Sequence, residues 1–265
     1  MKKIAHLLLF LILAPLSSWT IADQNSTLNK ADFNAAFEEY MQTEDFTARV
    51  EEVIIGFIQK QNQAQVDATE QVASAKVASI PNVDPINDYI RGSSSAAYSL
   101  IEYSDFECPY CKNFHHTAQQ FVNDNLDVNW VYRHFPLEFH NPLARVEAEA
   151  SECAGSLAGA DDFWYFADEI FARTKSNGKG LLVEELHDIA ENLGMDTDKF
   201  RECLDGNQQA AKVKSHIMQG RAAGINGTPA SFLRHNASGT TLVITGAQPL
   251  NELQKALDEL KWRVK

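Results

Sequence analysis

The chain has 265 residues, of which 45% are hydrophobic and 22% charged, and its formal net charge is −13. That length suits one good-sized domain with or without an accessory segment, and the composition is ordinary for a globular fold. No block of Lys or Arg interrupts the acidic balance, which argues against nucleic acid as a partner and otherwise implies only solubility.

In chain order the first signal is at the start. Lys2 and Lys3 precede an apolar run over residues 4–16, and Thr20-Ile21-Ala22 then offers a small residue for signal peptidase. The pattern predicts a cleavable secretory signal over residues 1–22. The run has 13 residues, short of the roughly 20 that span a bilayer, so an uncleaved anchor is the weaker reading. Residues 23–80 are then polar, alanine-rich and free of cysteine, with proline absent until Pro81. Asn29 or Asp32 can cap a first helix. Residues 46–78 favour a second, with Val50, Ile54, Phe57 and Ile58 on one face and Ala64, Ala68, Val72 and Ala75 extending a thinner stripe. A long helix with so narrow a stripe needs a partner surface. The segment is therefore expected to be a helical arm that makes a homo-oligomer, the alternatives being a helix packed on its own domain or a partly ordered leader.

Pro81, Pro85, Gly92 and Ser93-Ser94-Ser95 mark a linker, after which residues 81–265 hold the main domain. A buried strand is expected over 97–103, a helix opening on Pro109 over 109–125, and a second strand over 128–135. Helical segments follow over 144–157, 162–173, 183–193, 197–204 and 210–223, a helical block of about 142–223 punctuated by glycines. Two strands over 230–234 and 241–245 form a hairpin, and a helix over 249–262 ends the domain. The order implies an α/β (α+β) thioredoxin-like fold: a short mixed sheet, a right-handed crossover and a helical insertion.

The chemistry-bearing segment is Phe106-Glu107-Cys108-Pro109-Tyr110-Cys111-Lys112. The same Cys-x-x-Cys spacing serves zinc sites, but Cys153 and Cys203 are isolated, and the adjacent His115 and His116 cannot face one way on a helix, so no metal is expected. At the start of a helix, free N–H groups and the dipole favour a Cys108 thiolate, with a pKa in the range of roughly 3.5–7.5 found at such sites. Cys111 lies one turn on, able to attack a mixed disulfide and release the client. Export makes an even cysteine set a candidate disulfide set, and four cysteines allow three pairings. Cys108 and Cys111 enclose too short a loop to be a useful staple, whereas a Cys153–Cys203 bond would close a long one, worth roughly 4 kcal/mol in the entropic picture. Far along the chain, Gly227-Thr228-Pro229 places a proline before a strand, with either a cis or a trans bond open to it.

The run Tyr103-Ser104-Asp105-Phe106-Glu107-Cys108-Pro109-Tyr110-Cys111 resembles the active-site segment of the DsbA-like family of thioredoxin-fold thiol–disulfide oxidoreductases. Arg133-His134-Phe135-Pro136-Leu137 resembles that family's second strand and exit, and Gly227-Thr228-Pro229-Ala230 its cis-proline loop, so the likeness covers roughly residues 84–262. The resemblance implies a nucleophilic Cys108, a resolving Cys111, a cis bond before Pro229, strand-like pairing of the client with the loop at Thr228, and further client contacts at Pro109 and Tyr110. It also implies a structural Cys153–Cys203 disulfide in the insertion, two free buried thiols being the alternative, and a buried acid at Glu102 that shuttles the proton of Cys111. Leu100-Ile101-Glu102-Tyr103 sets that charge in an otherwise buried strand, the alternative being a strand glutamate that faces solvent. The expected function is formation or rearrangement of disulfides in exported, periplasmic client proteins, with a membrane redox partner that recharges the site and no cofactor. Oxidase, isomerase and reductase directions stay open, and a non-catalytic chaperone or binding module on the same fold is the reading from another class. Tyr110 stands where strongly oxidising members carry His, and Thr228 resembles the isomerases.

Overall fold

The computed structural model describes residues 29–265. The expected signal segment, 1–22, lies outside them. The described chain divides into two compact units, the second being Val66–Lys265. The boundary expected at residue 80 therefore moves. Helical propensity runs unbroken across 66–78, but Ile80 is buried in the core of the second unit, so 66–80 belong with the main domain rather than the arm.

In the first unit, α1 (Lys30–Met41) is capped by the Asn29 side chain, which accepts from the N–H groups of Ala31 and Asp32. A tight turn leads into α2 (Glu44–Ala78). Phe33 stacks on Phe37, and Tyr40 meets Phe46 edge-on. Phe33, Phe37, Val50, Ile54, Phe57 and Ile58 are nonetheless all exposed, Phe57 by 62%.

The second unit is built on a five-stranded mixed sheet in the order β1-β3-β2-β4-β5. β2 (Tyr98–Ser104) and β3 (Val128–His134) pair in parallel across the crossover helix α3 (Pro109–Asp124). β4 (Ala230–His235) lies antiparallel to β2, and β5 (Thr241–Thr245) closes the hairpin. The expected linker also holds an unforeseen short strand, β1 (Ile90–Arg91), paired antiparallel with β3. Two residues carry no period of their own, so only the partner strand defines it.

Five helices, α4 (Leu143–Ala158), α5 (Ala160–Arg173), α6 (Val183–Asn192), α7 (Thr197–Asp205) and α8 (Ala210–Ala222), form the insertion before β4. α9 (Leu250–Arg263) ends the domain. Every residue of β2 and β3 is buried, as expected for strands covered on both faces. Leu100, Trp130, Tyr132 and Leu233 join one core with α3, α5 and α9, while Ile101, Val131 and Phe232 join a second with α8. Successive side chains thus serve opposite faces.

Candidate active site

Cys108 is the N-cap of α3, in extended conformation, with Pro109 in the first turn. Proline suits that position, where its missing N–H would have had no helical partner. The turn before it is set by Asp105: its carbonyl accepts the N–H of Cys108 at 3.0 Å, and its Oδ1 accepts that of Glu107 at 2.9 Å. The Oδ2 of Asp105 is held by the N–H of Leu137 at 2.9 Å and by Nδ1 of His140 at 2.6 Å.

Cys108 and Cys111 are both free and buried. A hydrogen bond from the Cys111 side chain is the largest influence on Cys108, pulling its pKa down to about 6 against the opposing effect of burial. Thr228 and the backbone N–H groups of Cys111 and Tyr110 add to the lowering. Thr228 serves both protonation states. As a thiol, Cys108 donates to the Thr228 carbonyl at 3.4 Å, while the buried Thr228 hydroxyl has no other hydrogen-bond partner among the described residues and can donate to a thiolate. Cys111 is fully buried, and its pKa is raised by that burial first and by Cys108 second.

Glu102, on β2, is fully buried. Burial pushes its carboxyl up to about 7, partly offset by Ser104 and by Trp130, whose Nε1 donates to Oε2 at 3.0 Å. Charge on Glu102 raises Cys111 further, and charge on Cys108 raises Glu102. Two groups that titrate near neutrality, Cys108 and Glu102, thus meet a third, Cys111, whose thiol is held protonated, beneath one helix start.

The other sequence-derived residues fall in two places. Thr228 is joined to Pro229 by a cis peptide bond; Pro229 is buried, and Tyr110 stands 67% exposed beside the thiols. A second cis bond, Asn141–Pro142, was not foreseen. Beyond Thr228 and Pro229 lies a cavity of about 500 Å³ lined by Val77, Ile225, Phe232, Val243 and Ile244. Cys153 and Cys203 are instead bonded to each other, joining α4 to α7 with Cα atoms 5.9 Å apart. His115 is committed elsewhere, its Nε2 hydrogen-bonded to Asp168 at 2.6 Å.

Several groups escaped the sequence reading. Glu107 is fully buried, bonded to the Thr174 hydroxyl, and close to the equally buried Glu147 of α4. Two acids flanking Phe106 just ahead of a cysteine meant to be an anion are a charge conflict, and that was the available clue. His134, Glu152 and His216 also bring potential metal-binding atoms within 4.8 Å of one another. Lys212 Nζ lies 2.7 Å from Glu152, and Nδ1 of His216 accepts the N–H of His134. The carboxylate there is neutralised by the protein's own cation.

A family model described as Thioredoxin matches residues 85–259. DsbA2 of Pseudomonas aeruginosa is 32% identical in sequence, superimposes with a TM-score of 0.58, and is matched over 94% of its length and 65% of this chain. BcfH of Salmonella enterica Typhimurium, 16% identical, shares the fold with a TM-score of 0.63 over 85% of this chain and 99% of its own. Among curated proteins, the Na(+)/H(+) antiporter NhaA 1 of Salinispora arenicola is 35% identical over 159 residues, which is 59% of this chain and 23% of the antiporter. The chain spans about a quarter of the length of the curated relatives it matches, and no helix among the described residues is long and apolar enough to cross a membrane.

Proposed function

The chain belongs to the DsbA-like family of thioredoxin-fold thiol–disulfide oxidoreductases, and from that premise we propose that it forms or rearranges disulfides in exported proteins through Cys108 and Cys111. The observation that carries the reading is the Cys108 sulfur at a helix start, facing Thr228, with Cys111 one turn behind it. In the oxidising direction a client thiolate attacks Cys108 of the Cys108–Cys111 disulfide. The S–S electron pair leaves on Cys111, which takes a proton from Glu102. A second client thiolate then attacks the client sulfur of the mixed disulfide. Cys108 departs as a thiolate, the client has lost two electrons, and the dithiol has gained them. In the isomerising direction the Cys108 thiolate attacks a client disulfide first, and the same electrons return when the client thiol reattacks.

Cys108 near 6 is a good leaving group, and Glu102 near 7 is matched to donating and accepting the Cys111 proton at neutral pH. Thr228, Pro109 and Tyr110 line the approach, and the apolar cavity past Pro229 suits side chains of an unfolded client. Residues 1–22 as a secretory signal, a periplasmic location and a membrane partner that recharges the dithiol complete the reading.

The exposed apolar side chains of α1 and α2 favour a homo-oligomer built on the arm, and with it isomerisation, since active sites held apart can take one client between them. Refolding scrambled ribonuclease beside reduced ribonuclease tests both points. Removing residues 23–65 is expected to give a monomer by light scattering that still oxidises and isomerises poorly. An unchanged mass removes the oligomer, and failure in both refolding assays removes the enzyme.

A further inference from the structure

Glu107 and Glu147 have no part in the exchange steps, yet both are fully buried. A β-carbon on Gly180 would run into Oε1 of both at once, so the two carboxyl groups bracket the space of a single carbon atom. Their donors are few. The Thr174 hydroxyl donates to Oε1 of Glu107 and the N–H of Leu181 to Oε1 of Glu147, the latter at 2.8 Å. The Oε2 of each has no hydrogen-bond partner among the described residues. Two carboxylates buried so close cannot both ionise without a large penalty.

Contacts on the Glu107 side of the pair lead back to Cys108. Glu107 is its chain neighbour, and the Glu107 carbonyl accepts the N–H of Asn177 at 2.7 Å. Ser176, Asn177 and Gly178 take three successive left-handed conformations to make that contact, which two non-glycine residues adopt only under external restraint. Lys112, one turn into α3, donates from Nζ to the carbonyls of Thr174 at 2.7 Å and Ala172 at 3.3 Å.

We propose that Glu107 and Glu147 share one proton and so latch residues 174–181 onto the turn that carries Cys108, which makes Glu147 a positioning residue for the nucleophile. The proposal rests on Cys108 being the attacking sulfur. Burial first, and the charge of Glu107 second, push the Glu147 carboxyl up to about 9, so the shared proton is retained through neutral pH. The other charged groups facing the pair are Asp105, which is bonded to His140, and the Lys112 ammonium over Thr174; Lys175 and Lys179 are exposed. Above pH 9 the pair becomes doubly charged, and the latch opens.

The test uses the full chain with Cys111→Ser, which leaves Cys108 as the only free thiol, alkylated by iodoacetamide between pH 5 and 10.5. The rate is expected to rise as Cys108 ionises, at a pH above that of the parent to the extent that a serine hydroxyl stabilises the thiolate less than the Cys111 thiol does, to level off, and to climb again at least twofold near pH 9. In Cys111→Ser/Glu147→Gln the amide supplies the donor at every pH, so the first step stays and the second disappears. Tryptic cleavage at Lys175 and Lys179 is expected to accelerate across the same pH 9 step in the parent, to stay slow in Glu147→Gln, and to be fast already at pH 7 in Glu147→Ala. A second step that survives Glu147→Gln, or a parent without one, overturns the latch. Failure of the unsubstituted chain to refold ribonuclease, with both alkylation steps intact in Cys111→Ser, would instead overturn the proposed function and leave the latch standing.

Discussion

Cys108 and Cys111 stand three positions apart at the start of a helix and remain thiols, whereas Cys153 and Cys203 stand 50 positions apart inside two helices and are bonded. All four are buried, so exposure does not separate them. What differs is the company. Around Cys108 are helix N–H groups, the Cys111 side chain, the Thr228 hydroxyl and, below, a carboxyl that titrates near 7. Around Cys153 and Cys203 is apolar core shared with Ala150, Ala154, Phe200 and Leu204. A sulfur that must change charge needs donors and proton carriers, and one that only cross-links needs packing and a long loop.

The hardest test of that contrast is to exchange sulfur for oxygen at the first pair. Cys108→Ser is expected to abolish exchange, because a serine hydroxyl cannot form the mixed disulfide. Cys111→Ser should accumulate clients covalently bound to Cys108, visible as adducts on a non-reducing gel; no adduct would mean that the roles of the two cysteines are assigned wrongly. The matching change at the second pair, Cys153→Ser with Cys203→Ser, should spare ribonuclease refolding at 25 °C. It should lower unfolding stability in denaturant by up to about 4 kcal/mol, the chain-entropy value for a loop of this size. If activity fell in step with the second pair, the two would not be separate devices.

How much of this could be read beforehand depended on distance along the chain. Pro109 after Cys108, the β-branched and aromatic runs of β2 and β3, and the glycines between helices are local signals, and every long helix and strand of the main domain appears within a few residues of its expected limits. The arm ended elsewhere than expected because residues 46–78 read as one continuous helix with no local break, and the buried Ile80, with Val77 packed on the same core, ties its end to the domain. The latch was invisible for a stronger reason. Glu147 and Thr174 lie 40 and 67 positions from Glu107, and nothing in a one-dimensional pattern announces that two acids on different elements will meet. Glu102 was legible because it is a single charge set in a strand with no polar alternation, and its placement needed only the sheet.

Glu102 also supplies the smallest expected effect and the one that separates chemistry from stability. Its carboxyl is raised from 4.5 to about 7 in the folded protein, so between those values the folded state holds a proton that the unfolded state has released. Stability therefore falls as pH rises through that window and levels off above it. Glu102→Gln removes the dependence while its side-chain oxygen still accepts from Trp130, so the variant should gain up to roughly 3 kcal/mol at pH 8 and almost nothing at pH 4, read from urea unfolding at the two pH values. Its release of client from the mixed disulfide should nonetheless slow by roughly tenfold to a hundredfold, the range in which a positioned proton carrier acts, and should lose the break near pH 7. A protein that becomes sturdier and slower by one substitution holds Glu102 buried for its proton traffic. A variant that lost stability at pH 8, or kept the break near pH 7, would make Glu102 a structural residue and leave the Cys111 proton to another carrier.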